Sequence, residues 1–164
     1  MIVEVGIFAL YGKIIAYHLF LYWILATPHA SIVLMKVIIL CGGQGTRLRE
    51  ETEFKPKPMV MVGEYPILWH IMKMYGHYGY KNFVLCLGYK GDIIKEYFLN
   101  YQAMNNDFTI SLGSHRKLEV HGKHSEEDFH LTLANTGAHA LTGSRVKQVE
   151  KYVDEDLVCV TYGD

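Results

Sequence analysis

Three observations predict an α/β fold built on a doubly wound, mostly parallel sheet with an inserted antiparallel β element. The runs Val37-Ile38-Ile39-Leu40 and Phe83 to Leu87 are continuously apolar, as strands buried on both faces are. Helical spacing lies between them and again behind the second, which gives strand, helix, strand, helix. From Asp107 to Asn135 the apolar period falls to two, as half-exposed strands require.

The elements follow in chain order. Residues 1 to 34 carry 25 apolar residues and two charges, Glu4 and Lys13, whereas the remaining 130 residues carry 31 of the 33 charges. Within that segment, 14 to 26 is an apolar stretch too short for a full span, and Thr27, Pro28, His29 and Ala30 make a poor cleavage site. A membrane anchor and a cleaved signal both stay open. The preferred expectation is that the true chain starts at Met35, so that 1–34 is a hydrophobic extension outside the fold, a gene-model artefact or a fusion scar, and 35–164 is the folded portion.

The first strand leads into Cys41-Gly42-Gly43-Gln44-Gly45-Thr46-Arg47-Leu48. Three glycines in four positions let the backbone take positive φ and aim its N–H groups at one point. With the Thr46 hydroxyl and the Arg47 guanidinium, the turn becomes a nest for a polyphosphate. It is neither a P-loop nor a GxGxxG fingerprint. Lys55-Pro56-Lys57-Pro58 should then be stiff and extended, holding two lysines outward. Lys36, Arg47, Arg49, Lys55 and Lys57 outnumber Glu50, Glu51 and Glu53, giving a local positive field.

Residues 66 to 78 should form an amphipathic helix with Ile67, Ile71, Met74 and Tyr78 on the buried stripe and solvated His70 and His77 opposite. After the strand Phe83 to Leu87, Asp92 is placed to cap a helix running through Tyr101. Phe108, Ile110 and Leu112, then Leu118 and Val120, then Phe129, Leu131 and Leu133 read as inserted antiparallel strands. Thr142-Gly143-Ser144 starts a helix whose buried stripe is Val146, Val149 and Val153. Arg145 lies in its first turn, where the macrodipole disfavours a cation unless an anion is near; a ligand contact and an ordinary surface arginine at a helix start both stay open. Leu157 to Val160 is a further strand, ending in Thr161-Tyr162-Gly163-Asp164; an acid at the carboxyl end of a strand is well placed to hold Mg²⁺ against a triphosphate.

The formal net charge of −1 offers no global attraction to nucleic acid or to an acidic membrane. Cys41, Cys86 and Cys159 are odd in number and embedded in apolar runs, which reads as buried free thiols in a reducing compartment, the cytoplasm by default. His115, His121, His124 and His130 lack the paired spacing of a zinc site.

LCGGQGTRL followed by KPKPM resembles the signature of the sugar-1-phosphate nucleotidyltransferases. PILWHIMKMY, GYKGDIIKEYF and TYGD resemble the glucose-1-phosphate cytidylyltransferase branch, and the resemblance runs from Met35 to Asp164. It implies a Rossmann-like nucleotide-diphospho-sugar transferase fold and attack by glucose 1-phosphate on the α-phosphorus of CTP, releasing pyrophosphate and forming CDP-glucose. It implies nucleotide and substrate contacts at Leu40, Cys41, Gly42, Gly43, Gln44, Gly45, Thr46, Arg47, Lys57, Thr142, Arg145 and Gly163. Arg47 and Lys57 are the implied catalytic residues, and Asp164 the Mg²⁺ ligand. Cys41 stands where relatives commonly carry alanine, and Ala140 where the family tends to place a polar contact. Members of the family continue beyond the position of Asp164 into the main sugar-binding elements and a second metal-binding aspartate. The resemblance therefore implies that 35–164 is truncated at its C-terminus and inactive alone. It further implies a homo-oligomer at full length and a role in building dideoxyhexose-containing surface polysaccharide such as O-antigen.

Overall fold

A computed structural model of the chain describes residues 35–43, 54–113, 117–122, 128–154 and 156–164. Its elements are β1 (Val37–Cys41), a 3₁₀ turn (Lys57–Met59), β2 (Met61–Val62), β3 (Tyr65–Pro66), α1 (Ile67–His77), β4 (Asn82–Leu87), α2 (Gly91–Leu99), α3 (Tyr101–Met104), β5 (Asp107–Ser111), β6 (Lys117–His121), β7 (His130–Asn135), α4 (Thr142–Val149), a second 3₁₀ turn (Glu150–Tyr152) and β8 (Cys159–Tyr162). The extension 1–34, and with it the anchor and signal readings, lies outside the described residues. Among the described residues no helix is long and apolar enough to cross a membrane.

The main sheet has the order β7-β4-β1-β8, and every pair in it is parallel. Its two central strands are the two continuously apolar runs, buried from Val37 to Cys41 and from Phe83 to Leu87. The pleat sends Val37, Ile39, Cys41, Phe83, Leu85 and Leu87 to one face, where they pack with Leu68, Met72 and Ile94 from α1 and α2. Ile38, Leu40, Val84 and Cys86 go to the other face and meet Val149 of α4, with Val146, Val153 and Val160 at its margin. Helices on both faces make the sheet doubly wound, as the alternation of elements predicts.

Four local readings need correction. The buried stripe of α1 is Leu68 and Met72, supported by Ile71 and Tyr75, while Met74 and Tyr78 are 56% and 73% exposed. Apolar residues surround this helix, so periodicity alone does not choose the face that the sheet covers. Second, Lys90 stands at the N-cap position of α2 in the left-handed region at φ 51°, with no side-chain cap hydrogen bond, and Asp92 sits inside the first turn; the helix closes at Leu99 and a separate turn, α3, follows.

Third, only part of the alternating region is antiparallel. β5 and β6 form a hairpin whose apolar face joins Phe108 to Val120 and Ile110 to Leu118. It borders a cavity of about 290 Å³ lined in part by Trp69, Phe98, Tyr101 and Phe129. β7, with Leu131 and Leu133, instead pairs parallel with β4 in the main sheet. It alternates because it lies outermost in that sheet and is only partly covered. Finally, Lys55-Pro56-Lys57-Pro58 is not an extended rod: Pro56 and Pro58 are buried and Lys57 opens the 3₁₀ turn, closed by Met59 N–H to Pro56 O at 2.8 Å and Val60 N–H to Lys57 O at 3.0 Å. Lys55 is left exposed.

Candidate active site

In a parallel sheet all carboxyl ends share one edge, so the order β7-β4-β1-β8 sets Asn135, Leu87, Cys41 and Tyr162 side by side there. The chain builds outward from β1 through β4 to β7, then returns to the opposite side of β1 as β8. That reversal makes a topological switch point between β1 and β8, the position where open α/β sheets bind ligands.

At the switch point Gly163 is buried and donates its N–H to Leu40 O at 3.0 Å. A Cβ on it would lie 2.9 Å from Cys41 Sγ and 3.1 Å from Pro58 Cγ, so glycine lets β8 close against β1 and the 3₁₀ turn. Asp164 is thereby carried to the edge, where Lys57 Nζ donates to its Oδ2 in an ion pair about one-third exposed on each side. Two residues 107 positions apart, each predicted from its own local pattern, meet here. The Asp164 carboxylate is a hard oxygen donor of the kind Mg²⁺ takes, and Mg²⁺ commonly completes its shell with phosphate oxygens and water. Among the described residues no group of three His, Cys, Asp or Glu side chains could hold a metal by themselves.

On the β4 side of β1 the edge is organised by Arg145, which is 5% exposed. Its Nη1 donates to Thr136 Oγ1 at 2.7 Å, Gly137 O at 2.8 Å and Leu87 O at 3.3 Å, and its Nη2 donates to Gly42 O at 3.0 Å and Ala138 O at 3.4 Å. Arg145 lies in the first turn of α4, as expected, but the fold's own carbonyl oxygens supply the negative charge that its position calls for. The conflict with the macrodipole is thus met within the fold. Thr142, one turn earlier, is exposed at the start of α4.

The glycine turn divides at Gly43. Leu40, Cys41 and Gly42 are buried and Gly43 is exposed, whereas Gln44, Gly45, Thr46 and Arg47 lie outside the described residues. The positive-φ glycines among the described residues are Gly63, Gly79, Gly122 and Gly137, so Gly42 and Gly43 are not glycines for that reason. Gly42 is small because a Cβ would stand 2.1 Å from Arg145 Nη1. Lys36 precedes β1 at the opposite edge, bonded to Tyr152 O at 2.9 Å and Asp154 at 3.2 Å, and adds nothing to a positive field at the site.

The three thiols are free, Cys41 and Cys86 buried as expected but Cys159 only partly covered. Burial pushes the Cys41 thiol far up, with Cys86 and Asp164 adding to the effect and Arg145 opposing it. Burial likewise raises Cys86, to about 11, against the pull of Arg145. Neither is a nucleophile at neutral pH.

The residues that sequence reasoning missed are Thr136, buried and donating to Leu87 O at 2.7 Å, and Gly88, whose Cβ would meet Arg145 Nη1 at 2.6 Å and Gly42 Cα at 2.7 Å. Both stand just past a strand of the main sheet, as Gly42 does, and that shared position is the signal that could have found them.

The family model of the nucleotidyl transferases matches residues 36–151. A glucose-1-phosphate cytidylyltransferase of Salmonella typhimurium is 53% identical over 131 residues, 79% of this chain and 50% of its own length. A probable glucose-1-phosphate cytidylyltransferase of Bacillus subtilis is 45% identical over 130 residues, with the same coverage. The chain thus spans about half the length of the curated relatives it matches. Among solved structures, HddC from Yersinia pseudotuberculosis complexed with GMP-PN is 25% identical at a TM-score of 0.55, over 79% of this chain and 48% of that one. With a match that starts at the residue before β1 and closes in the 3₁₀ turn behind α4, this chain belongs to the nucleotidyl transferase family.

Proposed function

We propose that the chain provides the nucleotide-binding part of a glucose-1-phosphate cytidylyltransferase, which forms CDP-glucose and pyrophosphate from CTP and glucose 1-phosphate. The observation that carries this reading is the Lys57–Asp164 pair at the β1/β8 switch point: one cation and one carboxylate, held where a phosphate chain and its metal would lie. Identity to cytidylyltransferases over 79% of the chain supports the choice of base and sugar. A sugar phosphate attacking an α-phosphorus needs no covalent enzyme intermediate; positioning and charge neutralisation supply the catalysis.

In this reading the stretch Leu40, Cys41, Gly42, Gly43, Gln44, Gly45, Thr46 and Arg47 cradles the nucleotide, and Arg47 neutralises the leaving pyrophosphate. Lys57 faces the charge that grows at the α-phosphate. Gly163 brings Asp164 to the edge, where its carboxylate and the phosphate oxygens would hold Mg²⁺; bound there, the ion would neutralise phosphate charge. Thr142 borders the substrate from the start of α4, and Arg145 completes the group from beneath the turn. Free buried thiols suit a reducing compartment such as the cytoplasm. A homo-oligomer and service in surface-polysaccharide assembly belong to the same proposal.

Thermal-shift titration of the chain with CTP, UTP, dTTP and ATP, each with Mg²⁺, tests the assignment. CTP is expected to give the largest stabilisation, and glucose 1-phosphate to add to it. Equal shifts from all four nucleotides would remove the case for cytidine, and no shift would remove the nucleotide. A larger shift with GTP in a fifth titration would favour a guanine nucleotide instead, the reading that the GMP-PN complex of HddC raises.

A further inference from the structure

The Lys57–Asp164 pair joins two side chains of unequal freedom. Asp164 follows a backbone that is held on two sides: Gly163 N–H donates to Leu40 O at 3.0 Å, and Cys41 Sγ and Pro58 Cγ leave no room for a Cβ on Gly163. The carboxylate is one short side chain away from that anchor. The backbone of Lys57 is fixed as well, between the buried Pro56 and Pro58, and Ile67 N–H to Val60 O at 2.9 Å ties the end of the 3₁₀ turn to the start of α1. Its ammonium, however, ends a flexible four-carbon stem, and the pair is about one-third exposed on each side. Parting the pair therefore moves the lysine head and leaves the carboxylate in place, at the small cost of an exposed ion pair.

The two tasks that the proposed function gives this pair conflict while it is closed. A divalent cation on either oxygen of Asp164 would stand beside the Lys57 ammonium, and like charges that close repel even in water. A phosphate at Lys57 would meet the Asp164 carboxylate in the same way. When both arrive, the cation takes the carboxylate, the phosphate takes the ammonium, and every charge keeps an opposite partner. We propose that Lys57 and Asp164 form an exchange pair that makes a divalent cation and the nucleotide phosphates bind together. Lys57 shields Asp164 from a bare cation, Asp164 shields Lys57 from a bare phosphate, and each ligand raises the affinity for the other by the same factor. This rests on the nucleotide reading of the site and adds to it the dependence of one ligand on the other.

The test measures Mn²⁺ binding to the chain without nucleotide, from the paramagnetic resonance signal of the free ion, in the wild type, Lys57→Met, Lys57→Arg and the double variant Lys57→Met with Asp164→Asn. Lys57→Met is expected to bind Mn²⁺ about 5- to 30-fold more tightly than the wild type. Lys57→Arg keeps the charge and should stay within about 2-fold of the wild type, and the double variant should lose the gain. Lys57→Gln repeats the first comparison should the methionine variant fail to fold. No gain on removing the lysine charge, or a gain that survives in the double variant, would overturn the proposal. Calorimetry then gives the ratio of CTP affinity with Mg²⁺ to that without it; chelation of the ion by CTP in solution is common to all variants and cancels between them. The ratio should be about 5- to 30-fold smaller in Lys57→Met than in the wild type, and an equal ratio would also overturn the proposal. If the wild-type chain bound no CTP with Mg²⁺, the nucleotide reading would fall, while Mn²⁺ binding alone would still decide whether Lys57 shields Asp164.

Discussion

The two sides of β1 use a cation in opposite ways. Toward β4 and β7, Arg145 is buried and its guanidinium is fixed by oxygens of the backbone and Thr136. Toward β8, Lys57 faces Asp164 across a half-open pair that water and ions can reach. Burial raises the cost of an unmet polar group and strengthens each met one, so the first side is rigid and its parts depend on one another. The exposed pair is screened and contributes little to stability, which leaves both of its members available to exchange partners. A fold can thus keep one edge of a sheet both stiff and receptive by separating the two tasks across a single strand.

The contrast can be broken from either side. The largest effect is expected from Arg145→Leu, which removes the guanidinium that oxygens at three strand ends share; equilibrium urea unfolding should show a loss of about 3–5 kcal/mol, as removing one partner from a buried charged network does. A loss below about 1 kcal/mol would mean that the tie is not structural.

Alkaline pH should act on the same side with a smaller effect. Folding raises the Cys86 thiol to about 11 from an ordinary 9.0, and Cys41 rises too, so the unfolded chain releases these protons first. The stability they contribute is complete below pH 9 and should fall as pH rises toward 11. Urea midpoints between pH 7.5 and 10.5 would show this, and Cys86→Ala should flatten the decline; a midpoint that rose with pH would contradict it.

The smallest effect on stability is expected at the open side. Lys57→Met should change unfolding free energy by no more than about 1 kcal/mol, while sharply reducing the stabilisation that CTP and Mg²⁺ give in thermal shift. If Lys57→Met instead unfolded the chain as readily as Arg145→Leu, the division between the two sides would be lost.

Much of this was legible in the residues. Continuous apolar runs identified both central strands because only a strand covered on both faces needs them. The apolar residues of β5 and β6 marked a hairpin because their period matches the pleat. The face of α1 was not legible, since Leu68, Met72, Met74 and Tyr78 are all apolar and the sheet decides which are covered. The direction of β7 was hidden as well, because alternation reports partial exposure and is blind to whether the neighbour runs parallel. At the site, Lys57 and Asp164 were each picked out locally, yet their meeting depends on β8 returning beside β1. For Arg145 the sequence signal was a cation at the positive end of a helix; it marked a need for negative charge without saying whose.

By itself, then, the sequence determined the two central strands, the helices that follow them and the doubly wound order of the sheet. Hydrophobic period and the chemistry of each side chain are local properties and survive in a one-dimensional record. The tertiary structure alone decided that three strand ends converge on Arg145, that Gly42 and Gly88 are small to admit it, and that Lys57 faces Asp164. Those contacts join residues as far as 107 positions apart, and only strand order, set by how the whole chain buries its apolar faces, brings them within hydrogen-bond reach.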